Sequence, residues 1–418
     1  MVMGLTDQGV FLDQTTKNFR LGVVHECLWG LAYGMVNPLT MLSMAASDLG
    51  ASASGIGAFE ALCFTGINAV QLASAFLFSP RWTEPRLTAL MHWPAILATA
   101  LGAALFLPGL KLDPDLRLLL FATTFVVHWV AIGFVVPFWG AMAERNIPSA
   151  LHGRYFGMSF AISNLLGAGS GALAARWVAA GGLQWGYSLC FGLAMLLQTL
   201  SVVVLAYTRP LKPAPEAPGP LRPFLKEQAK QLREHPALQS YLVLLFLLQL
   251  GSASVALFTA HYKALGVPNA DFDVFNASLA LGSMVGCLGL GYLVDWKGGR
   301  VALAAALLPM LAALFILLLK LPPAWGTGAY FGGGTFSGVW GAVCFPLVLR
   351  YAPQGKTIAF LGLASTLGSL TNLMPLALGA LADYAGYQAT FALSVAGCLA
   401  CLAFVALRPE LDHRGERA

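Results

Sequence analysis

The stretch VALAAALLPMLAALFILLLK at residues 301–320 carries no charged residue before its last position. A helix that crosses a bilayer needs about 20 consecutive apolar residues, so this stretch predicts a transmembrane helix. The rest of the chain has the same character, because its 418 residues are 58% hydrophobic and only 10% charged. Soluble domains carry roughly 25% charged residues. The composition therefore excludes a soluble enzyme, a disulfide-rich secreted domain and a disordered protein.

Apolar runs bounded by charged residues, Pro or Gly predict twelve membrane spans, numbered here spans 1 to 12. The predicted fold class is an all-α membrane protein with an N-terminal six-helix bundle (1–207), a linker (208–237) and a C-terminal six-helix bundle (238–418). The first 20 residues are polar, so span 1 is expected to start at 21. The predicted spans are 21–46, 54–78, 87–108, 116–143, 155–180, 183–207, 238–262, 274–295, 301–320, 325–349, 357–382 and 388–407.

The positions of the cationic residues predict the orientation of the chain. On the side of the two termini lie 19 of the 24 Lys and Arg residues. Because cytoplasmic loops carry an excess of Lys and Arg, both termini and the central linker are expected in the cytoplasm. The linker is Pro-rich and ends in an amphipathic stretch, 224–233. It is interpreted as a tether on the membrane surface, its basic residues near anionic lipid, and the alternative is a segment that recruits a partner.

The loop between spans 8 and 9 reads GYLVDWKGGR, residues 291–300. Its Gly291, Asp295, Gly298 and Arg300 match the pattern G-x-x-x-D-(R)-x-G-(R)-(R/K), and the chain resembles the major facilitator superfamily over all its spans. The resemblance implies two six-helix bundles related by pseudo-two-fold symmetry, and a latch at this loop that helps to hold the cytoplasmic side shut. Gly291 and Gly298 are expected to allow a tight turn, while Asp295 caps span 9 and attracts a cation from a neighbouring helix end.

Ionisable side chains inside a membrane are costly, and those present are candidates for function. Glu26, Glu60 and His128 are the predicted proton-coupling residues. The two glutamates are expected on the order of 20 Å apart in depth, each taking up a proton when its side of the protein closes. The alternative is that each glutamate forms a hydrogen bond to a helix end or faces a water-filled vestibule. The alternative for His128 is a packing role, and His92 and His261 are expected at lipid-facing or loop positions.

Polar and aromatic residues near the predicted span centres suggest a site for a neutral or cationic organic solute, since no Lys or Arg lies there. The rival interpretation is that these side chains only join helices. On span 1, polar and aromatic residues recur at intervals of 3, 4 and 4 and are expected to share one helix face, namely Glu26, Trp29, Tyr33 and Asn37. The Asn37-Pro38 pair that follows is expected to break the regular helix. The predicted substrate-binding residues are Trp29, Tyr33, Asn37, Asn68, Thr124, His128, Asn164, Gln249, Ser252, Trp340, Ser369 and Asn372.

The preferred hypothesis is a monomeric secondary active transporter in a bacterial inner membrane. It moves a small solute by alternating access, coupled to protons, and needs no metal, cofactor or nucleic acid. No nucleotide-binding loop occurs in the sequence, so ATP is not expected to drive it directly. The alternative is a transporter-like sensor or docking protein without turnover. An intramembrane enzyme is disfavoured, because the sequence shows no metal-ligand cluster and no nucleophile paired with a base.

Overall fold

The computed structural model describes residues 5–51, 53–214, 220–267, 271–353 and 355–412, and within these ranges the regular structure is helical, without strands. The helices up to the linker are α1 (Leu5–Met35), α2 (Ser43–Asp48), α3 (Ala53–Ala69), α4 (Gln71–Leu77), α5 (Pro85–Met91), α6 (Trp93–Ala104), α7 (Pro114–Asn146) and α8 (His152–Leu205). Those that follow are α9 (Leu221–Glu234), α10 (Pro236–Ser252), α11 (Phe258–Ala264), α12 (Asp271–Lys297), α13 (Gly299–Leu318), α14 (Gly326–Val339), α15 (Phe345–Tyr351), α16 (Thr357–Gly368), α17 (Met374–Ala385) and α18 (Tyr387–Leu407).

The first helix begins earlier than expected. It starts at Leu5 and not at residue 21. Its polar N-terminal part is held by Asn18, which is 1% exposed and donates hydrogen bonds to the carbonyl oxygens of Asn146 (2.9 Å) and Arg209 (2.7 Å). These contacts with residues far along the chain stabilise a polar helical segment that hydropathy alone does not reveal.

Spans 5 and 6 were expected as separate helices, and both lie within α8, which consists of two helices that meet at a kink. The break lies at Gly182, whose backbone has φ 67° and ψ −170°, a conformation that glycine adopts at little cost. In the described residues ten helices are long and apolar enough to cross a membrane, and one of them, Ser149–Leu205, has 57 residues. At about 1.5 Å per residue, this length exceeds twice the roughly 30 Å of a hydrocarbon core. Twelve crossings remain a prediction.

Several helices are interrupted near their middle. The break predicted at Asn37 and Pro38 is confirmed, because α1 ends at Met35 and a π-helical turn covers Pro38–Leu42. A second π-helical turn (Trp340–Cys344) joins α14 to α15. Two 3₁₀ turns, Ala253–Leu257 and Ser369–Leu373, join α10 to α11 and α16 to α17.

The chain forms two compact units. Unit 1 contains Met1–Pro148, Leu166–Leu225 and Ala352–Thr366. Unit 2 contains Ser149–Leu165, Lys226–Tyr351 and Leu367–Ala418. Unit 2 thus contains the first part of α8, and the remainder of that helix belongs to unit 1. Unit 1 contains most of α16, and the segment that follows belongs to unit 2. The predicted division at 1–207 and 238–418 stays a prediction.

Unit 1 has an aromatic cluster in its interior, and unit 2 has a close helix crossing. Unit 1 packs Phe106, Phe121, Phe125 and Phe191 together, with ring centroids of neighbouring pairs 4.9–6.3 Å apart. In unit 2, α12 packs closely against α14, because Gly282 and Gly286 leave room for the α14 backbone.

The predicted amphipathic stretch of the linker forms α9. Its Phe224 is 6% exposed and packs against Phe76, with ring centroids 5.4 Å apart, whereas the adjacent Leu225 is 49% exposed. Phe224 therefore anchors the start of α9 in unit 1.

Candidate functional site

Glu26 lies on α1 in the interior of unit 1, where it is 6% exposed. Its neighbour His25 is also buried, and the His25 Nε2 atom lies 3.6 Å from Glu26 Oε1. A charge in such a place is costly unless a partner compensates it. The two side chains therefore form a buried acid–base pair.

Ser201 on α8 determines which ring nitrogen of His25 carries hydrogen. Its hydroxyl donates to the His25 carbonyl oxygen (2.7 Å), so this single proton is already used. The His25 Nδ1 atom lies 2.7 Å from that hydroxyl and 3.1 Å from the Ser201 carbonyl oxygen, which are then both acceptors. Nδ1 must carry the hydrogen, and the neutral ring has a bare Nε2.

This assignment has a consequence for Glu26. A bare Nε2 and an ionised carboxylate would present lone pairs to each other. A proton on either Glu26 or Nε2 removes this repulsion and leaves the pair with no net charge, which burial favours. The geometry therefore favours one proton held by the pair.

His92 joins the same cluster, contrary to the expectation of a lipid-facing position. It lies between α5 and α6 and is 5% exposed, and its Nδ1 donates to the Thr88 carbonyl oxygen (2.8 Å). Its ring lies 6.0 Å from the ring of His25 and 5.3 Å from that of Trp29, centroid to centroid. Hydropathy cannot reveal this burial, because it comes from packing between helices far apart in sequence.

His261 was also expected at a lipid-facing or loop position, and it is buried in unit 2. Its ring packs against Tyr387 and Phe391, with centroid distances of 5.2 and 5.1 Å. The structure thus places His261 in an aromatic cluster of unit 2.

Glu60, the second glutamate, has a different partner. The Ser43 hydroxyl lies within hydrogen-bond distance of both Glu60 Oε1 and the Pro38 carbonyl oxygen. A hydroxyl has one hydrogen and a carbonyl can only accept. Both bonds exist at once only when Glu60 is protonated and donates to Ser43. When Glu60 is ionised, Ser43 donates to only one of them.

His128 is placed in the helix packing of unit 1. Its Nδ1 lies 2.9 Å from the Ala95 carbonyl oxygen and 3.1 Å from the hydroxyl of Thr99. Its ring packs beside Trp129, with centroids 5.5 Å apart. Thr124, one turn earlier, is also buried. This geometry favours the alternative that His128 joins α7 to α6.

Tyr33 and Trp129 form an aromatic wall in unit 1. Their rings meet edge to face with centroids 5.8 Å apart, and the ring centroid of Phe64 lies 6.4 Å from that of Trp129. Tyr33 was a predicted substrate-binding residue, whereas Trp129 was not. The spacing of residues on α1 identified Tyr33, whereas the contact of Trp129 with Tyr33 depends on how α7 packs.

Asn68 lies at the break between α3 and α4. Its side chain donates to the Phe64 carbonyl oxygen (3.1 Å). Thr366, which was not predicted, accepts from the Leu72 backbone N–H (3.1 Å) and donates toward the Ala69 carbonyl oxygen (3.2 Å). Asn68 is thus partly used within its own helix, and Thr366 supplies partners for backbone groups at the break.

Asn164 belongs to unit 2 and contacts α12. Its side-chain amide donates to the Ser283 hydroxyl (3.0 Å), to which Ser337 of α14 also donates (3.0 Å). Neither serine was predicted. Small hydroxyl residues are common in membrane helices, and only the helix packing distinguishes these two.

The remaining predicted substrate-binding residues share a position at or near a helix interruption, where backbone groups leave the regular hydrogen-bond ladder. Discontinuous helices are a common place for binding sites in transporters. Ser252 ends α10 and donates to the Leu248 carbonyl oxygen (2.9 Å). The predicted residues at such interruptions are Asn37 before the first π-helical turn, Gln249 and Ser252 before the first 3₁₀ turn, Trp340 at the start of the second π-helical turn, and Ser369 and Asn372 within the second 3₁₀ turn.

Asp295 caps α8 and not α13, which corrects the expectation for span 9. The α13 N-cap is Gly298, which has no side-chain cap. The Asp295 carboxylate, 1% exposed, accepts from the backbone N–H groups of Gly153 (2.9 Å) and Arg154 (2.8 Å). The Arg350 guanidinium lies 3.4 Å from its Oδ1. A carboxylate at a helix N-terminus is stabilised by the helix dipole.

The other motif residues have separate structural roles. Gly298 has φ 90° and forms the turn between α12 and α13. Gly291 lies inside α12, where its backbone approaches Gly153, so it serves a helix crossing and not the turn. Arg300 donates to the carbonyl oxygens of Val405 (3.1 Å) and Ala406 (2.6 Å) at the end of α18.

Comparison with known proteins gives one family. The sequence model of the Major Facilitator Superfamily matches residues 26–373. No curated protein sequence matches the chain at a significant level.

Solved structures share the fold. The human organic anion transporter MFSD10 (TETRAN) is similar at 14% identity and a TM-score of 0.71, over 94% of this chain and 99% of that one. The E. coli fucose:proton symporter FucP is similar at 12% identity and a TM-score of 0.72, over 93% and 97%. A bacterial homologue of the iron transporter ferroportin is similar at 15% identity and a TM-score of 0.68, over 94% and 98%. At these identities the likeness shows the fold alone.

Proposed function

This chain belongs to the major facilitator superfamily, and on that premise we propose that it is a proton-coupled secondary active transporter of a small neutral or cationic organic solute. It is an integral membrane protein and a membrane transporter by family. The proposal adds the coupling ion, the class of solute and the residues that serve each.

The buried pair of Glu26 and His25 is the observation that carries the coupling proposal. When one proton is held by Glu26 or by His25 Nε2, the pair has no net charge. Without this proton the pair leaves an uncompensated negative charge inside unit 1, which is unfavourable until water reaches the site. Release of the proton therefore requires a conformation that opens the site, and uptake favours its closure. This link between protonation and access is what a proton-coupled transporter needs.

Glu60 supplies a second proton site in the proposal. Its protonation decides whether Ser43 can bond Glu60 and the Pro38 carbonyl oxygen at the same time. Because Pro38 begins the π-helical turn after α1, a proton on Glu60 stabilises this form of the break.

The class of solute follows from the side chains near the helix interruptions. Tyr33 and Trp129 offer aromatic faces, and the polar candidates offer amide and hydroxyl groups. Such a set hydrogen-bonds a neutral solute and stacks on an organic cation, and it lacks the fixed positive charge that an anion requires. Proton symport is named for two proteins of this fold, the fucose:proton symporter FucP and the proton:xylose symporter XylE.

We also propose that both termini lie in the cytoplasm, as the distribution of Lys and Arg predicts. The protein is proposed to be a monomer in a bacterial inner membrane.

The test is proton flux in proteoliposomes that hold the purified protein and a trapped pH-sensitive dye. Pools of neutral, cationic and anionic metabolites are added outside. We expect a neutral or cationic pool to drive proton movement, and Glu26→Gln to abolish it. Glu144→Gln is the matched control, because Glu144 bonds Lys212 (2.6 Å) in a partly exposed ion pair and its loss should leave flux intact. A protein that moves neither protons nor radiolabelled solute would favour the sensor alternative.

A further inference from the structure

Unit 1 contains a cavity of about 300 Å³ that the coupling proposal does not use. Its wall includes the cationic side chains of Lys17, Arg86 and Arg209, together with Glu84 and Tyr207. The residues come from α1, from the start of α5 and from the segment after α8. Three parts of the chain that are distant in sequence thus bring three positive charges to one concave surface.

Among the described residues, the three cations have no side-chain partner. Within the described ranges, the side chains of Lys17, Arg86 and Arg209 make no hydrogen bond or ion pair. Glu84 does not compensate them, because its carboxylate accepts from the buried guanidinium of Arg145 (2.9 Å). The cavity therefore has an excess of positive charge.

The backbone at Arg209 is fixed in place. The Asn18 amide donates to the Arg209 carbonyl oxygen (2.7 Å), and the Arg209 backbone N–H donates to Asn18 Oδ1 (3.0 Å). Asn18 itself is 1% exposed. A buried side chain that holds the backbone of a binding residue lowers the entropy cost of binding.

The cavity lies where membrane-spanning segments end. One apolar helix begins at Pro85 and another ends at Leu205, next to the residues of the wall. Tyr207 is 67% exposed, and Val203 and Leu200, four and seven positions earlier, are 47% and 45% exposed. Leu200 and Val203 share one face of α8, and Tyr207 follows two residues after its end. The cavity thus combines a cationic surface at the membrane–water boundary with an exposed apolar stripe along the adjoining helix.

We propose that this cavity binds the phosphate headgroup of an anionic phospholipid, whose acyl chains lie along the stripe of Leu200 and Val203. The phosphate accepts from Lys17, Arg86 and Arg209, and Tyr207 lies at the level of the headgroups, where aromatic residues are enriched. Basic pockets near the ends of membrane helices bind anionic lipid headgroups by the same physics. The site is independent of the solute and proton sites.

The test is lipid binding to the full-length protein in a neutral detergent, followed by native mass spectrometry and by thermal unfolding. Phosphatidylglycerol is compared with phosphatidylcholine, and glycerol 3-phosphate serves as a soluble probe of the same phosphate chemistry. We expect phosphatidylglycerol to bind at least about tenfold more tightly than phosphatidylcholine and to raise the unfolding temperature. Glycerol 3-phosphate at the same concentration should do neither, because it lacks acyl chains.

The variant that tests the site carries Lys17→Gln, Arg86→Gln and Arg209→Gln, and we expect it to lose the preference for phosphatidylglycerol. The matched control exchanges the same residues with retention of charge, Lys17→Arg, Arg86→Lys and Arg209→Lys, and should keep it. If the triple variant does not fold, Arg86→Gln and Arg209→Gln singly should each weaken binding severalfold. A glutamine variant that binds phosphatidylglycerol like the native protein would overturn the proposal, as would equal stabilisation by glycerol 3-phosphate.

Discussion

At the scale of single residues, hydrogen counting constrains what Glu26 and Glu60 can do. A histidine whose Nδ1 donates to a carbonyl oxygen has a bare Nε2 when it is neutral, and Glu26 faces that atom in this protein. A serine with two acceptors within reach can satisfy only one. Protonation of Glu26 and of Glu60 therefore changes which bonds their neighbours make, and this provides a chemical link between a proton and the backbone of α1.

Ser43 offers a residue-scale prediction. Ser43→Ala removes the hydroxyl that joins Glu60 to the Pro38 carbonyl oxygen, and the loss of a partly buried hydrogen bond to a carboxyl group costs roughly 1–3 kcal/mol. We expect the initial rate of solute transport to fall between about fivefold and a hundredfold. Ser43→Thr keeps a hydroxyl and should retain most of the rate. Equal rates in the alanine and threonine variants would show that this hydroxyl has no part in transport.

At the scale of helices, close approach of backbones fixes where α8 begins. Gly153 lies against Gly291 of α12, and a methyl group on Gly153 would overlap the Gly291 carbonyl oxygen and the Asp295 carboxylate. Only a glycine fits at this crossing while Asp295 bonds the first N–H groups of α8.

This crossing predicts the effect of an added methyl group. Gly153→Ala should lower the free energy of unfolding by about 1–3 kcal/mol, as overpacking does. Gly169→Ala on the same helix is the control, because nothing lies within 4 Å of the added methyl and alanine favours a helix by up to about 1 kcal/mol. Unfolding in mixed detergent micelles measures both. A Gly153→Ala protein as stable as the control would contradict the packing described here.

Phe224 predicts how the linker is held. Phe224→Ala should release α9, because deletion of a buried phenylalanine ring costs about 3–5 kcal/mol. Hydrogen exchange of the backbone amides of 221–234 should then become faster. Leu225→Ala removes an exposed side chain next to it and should leave the exchange unchanged. Fast exchange of α9 in the native protein would show that Phe224 does not anchor it.

At the scale of the whole molecule, the orientation in the membrane is testable with single introduced cysteines. Of the native cysteines, Cys27 is half-buried and the others are buried, so they should react slowly. Tyr384→Cys, at a position that is 92% exposed, should react with an impermeant maleimide added to intact cells. Lys226→Cys on α9 should react only after the cells are opened. The reverse pattern would place the termini outside.

The sequence predicts this architecture well where the signal is local. The apolar runs, the break at Pro38 and the turn at Gly298 all depend on neighbouring residues, and the structure has them. The contacts of His92 with His25 and of Asp295 with α8 join residues far apart in the chain. No periodicity encodes them, so Asp295 could be predicted from the sequence but not its partners, and the contact of His92 with His25 could not be predicted at all.

The same limit applies to the candidate site. Tyr33 was identified by its spacing on α1, whereas Ser201, Thr366 and Ser283 were not, because isolated serines and threonines are frequent in membrane helices. Their roles appear only when a distant helix is packed against them.

Proton flux should be measured through the native protein and Glu26→Gln in parallel, together with uptake of the radiolabelled solute that drives it. We expect the native protein to move protons with solute and Glu26→Gln to move no protons, while the unfolding temperature of the variant stays close to that of the native protein. Proton movement by Glu26→Gln at the native rate would contradict the claim that the Glu26 and His25 pair carries the proton.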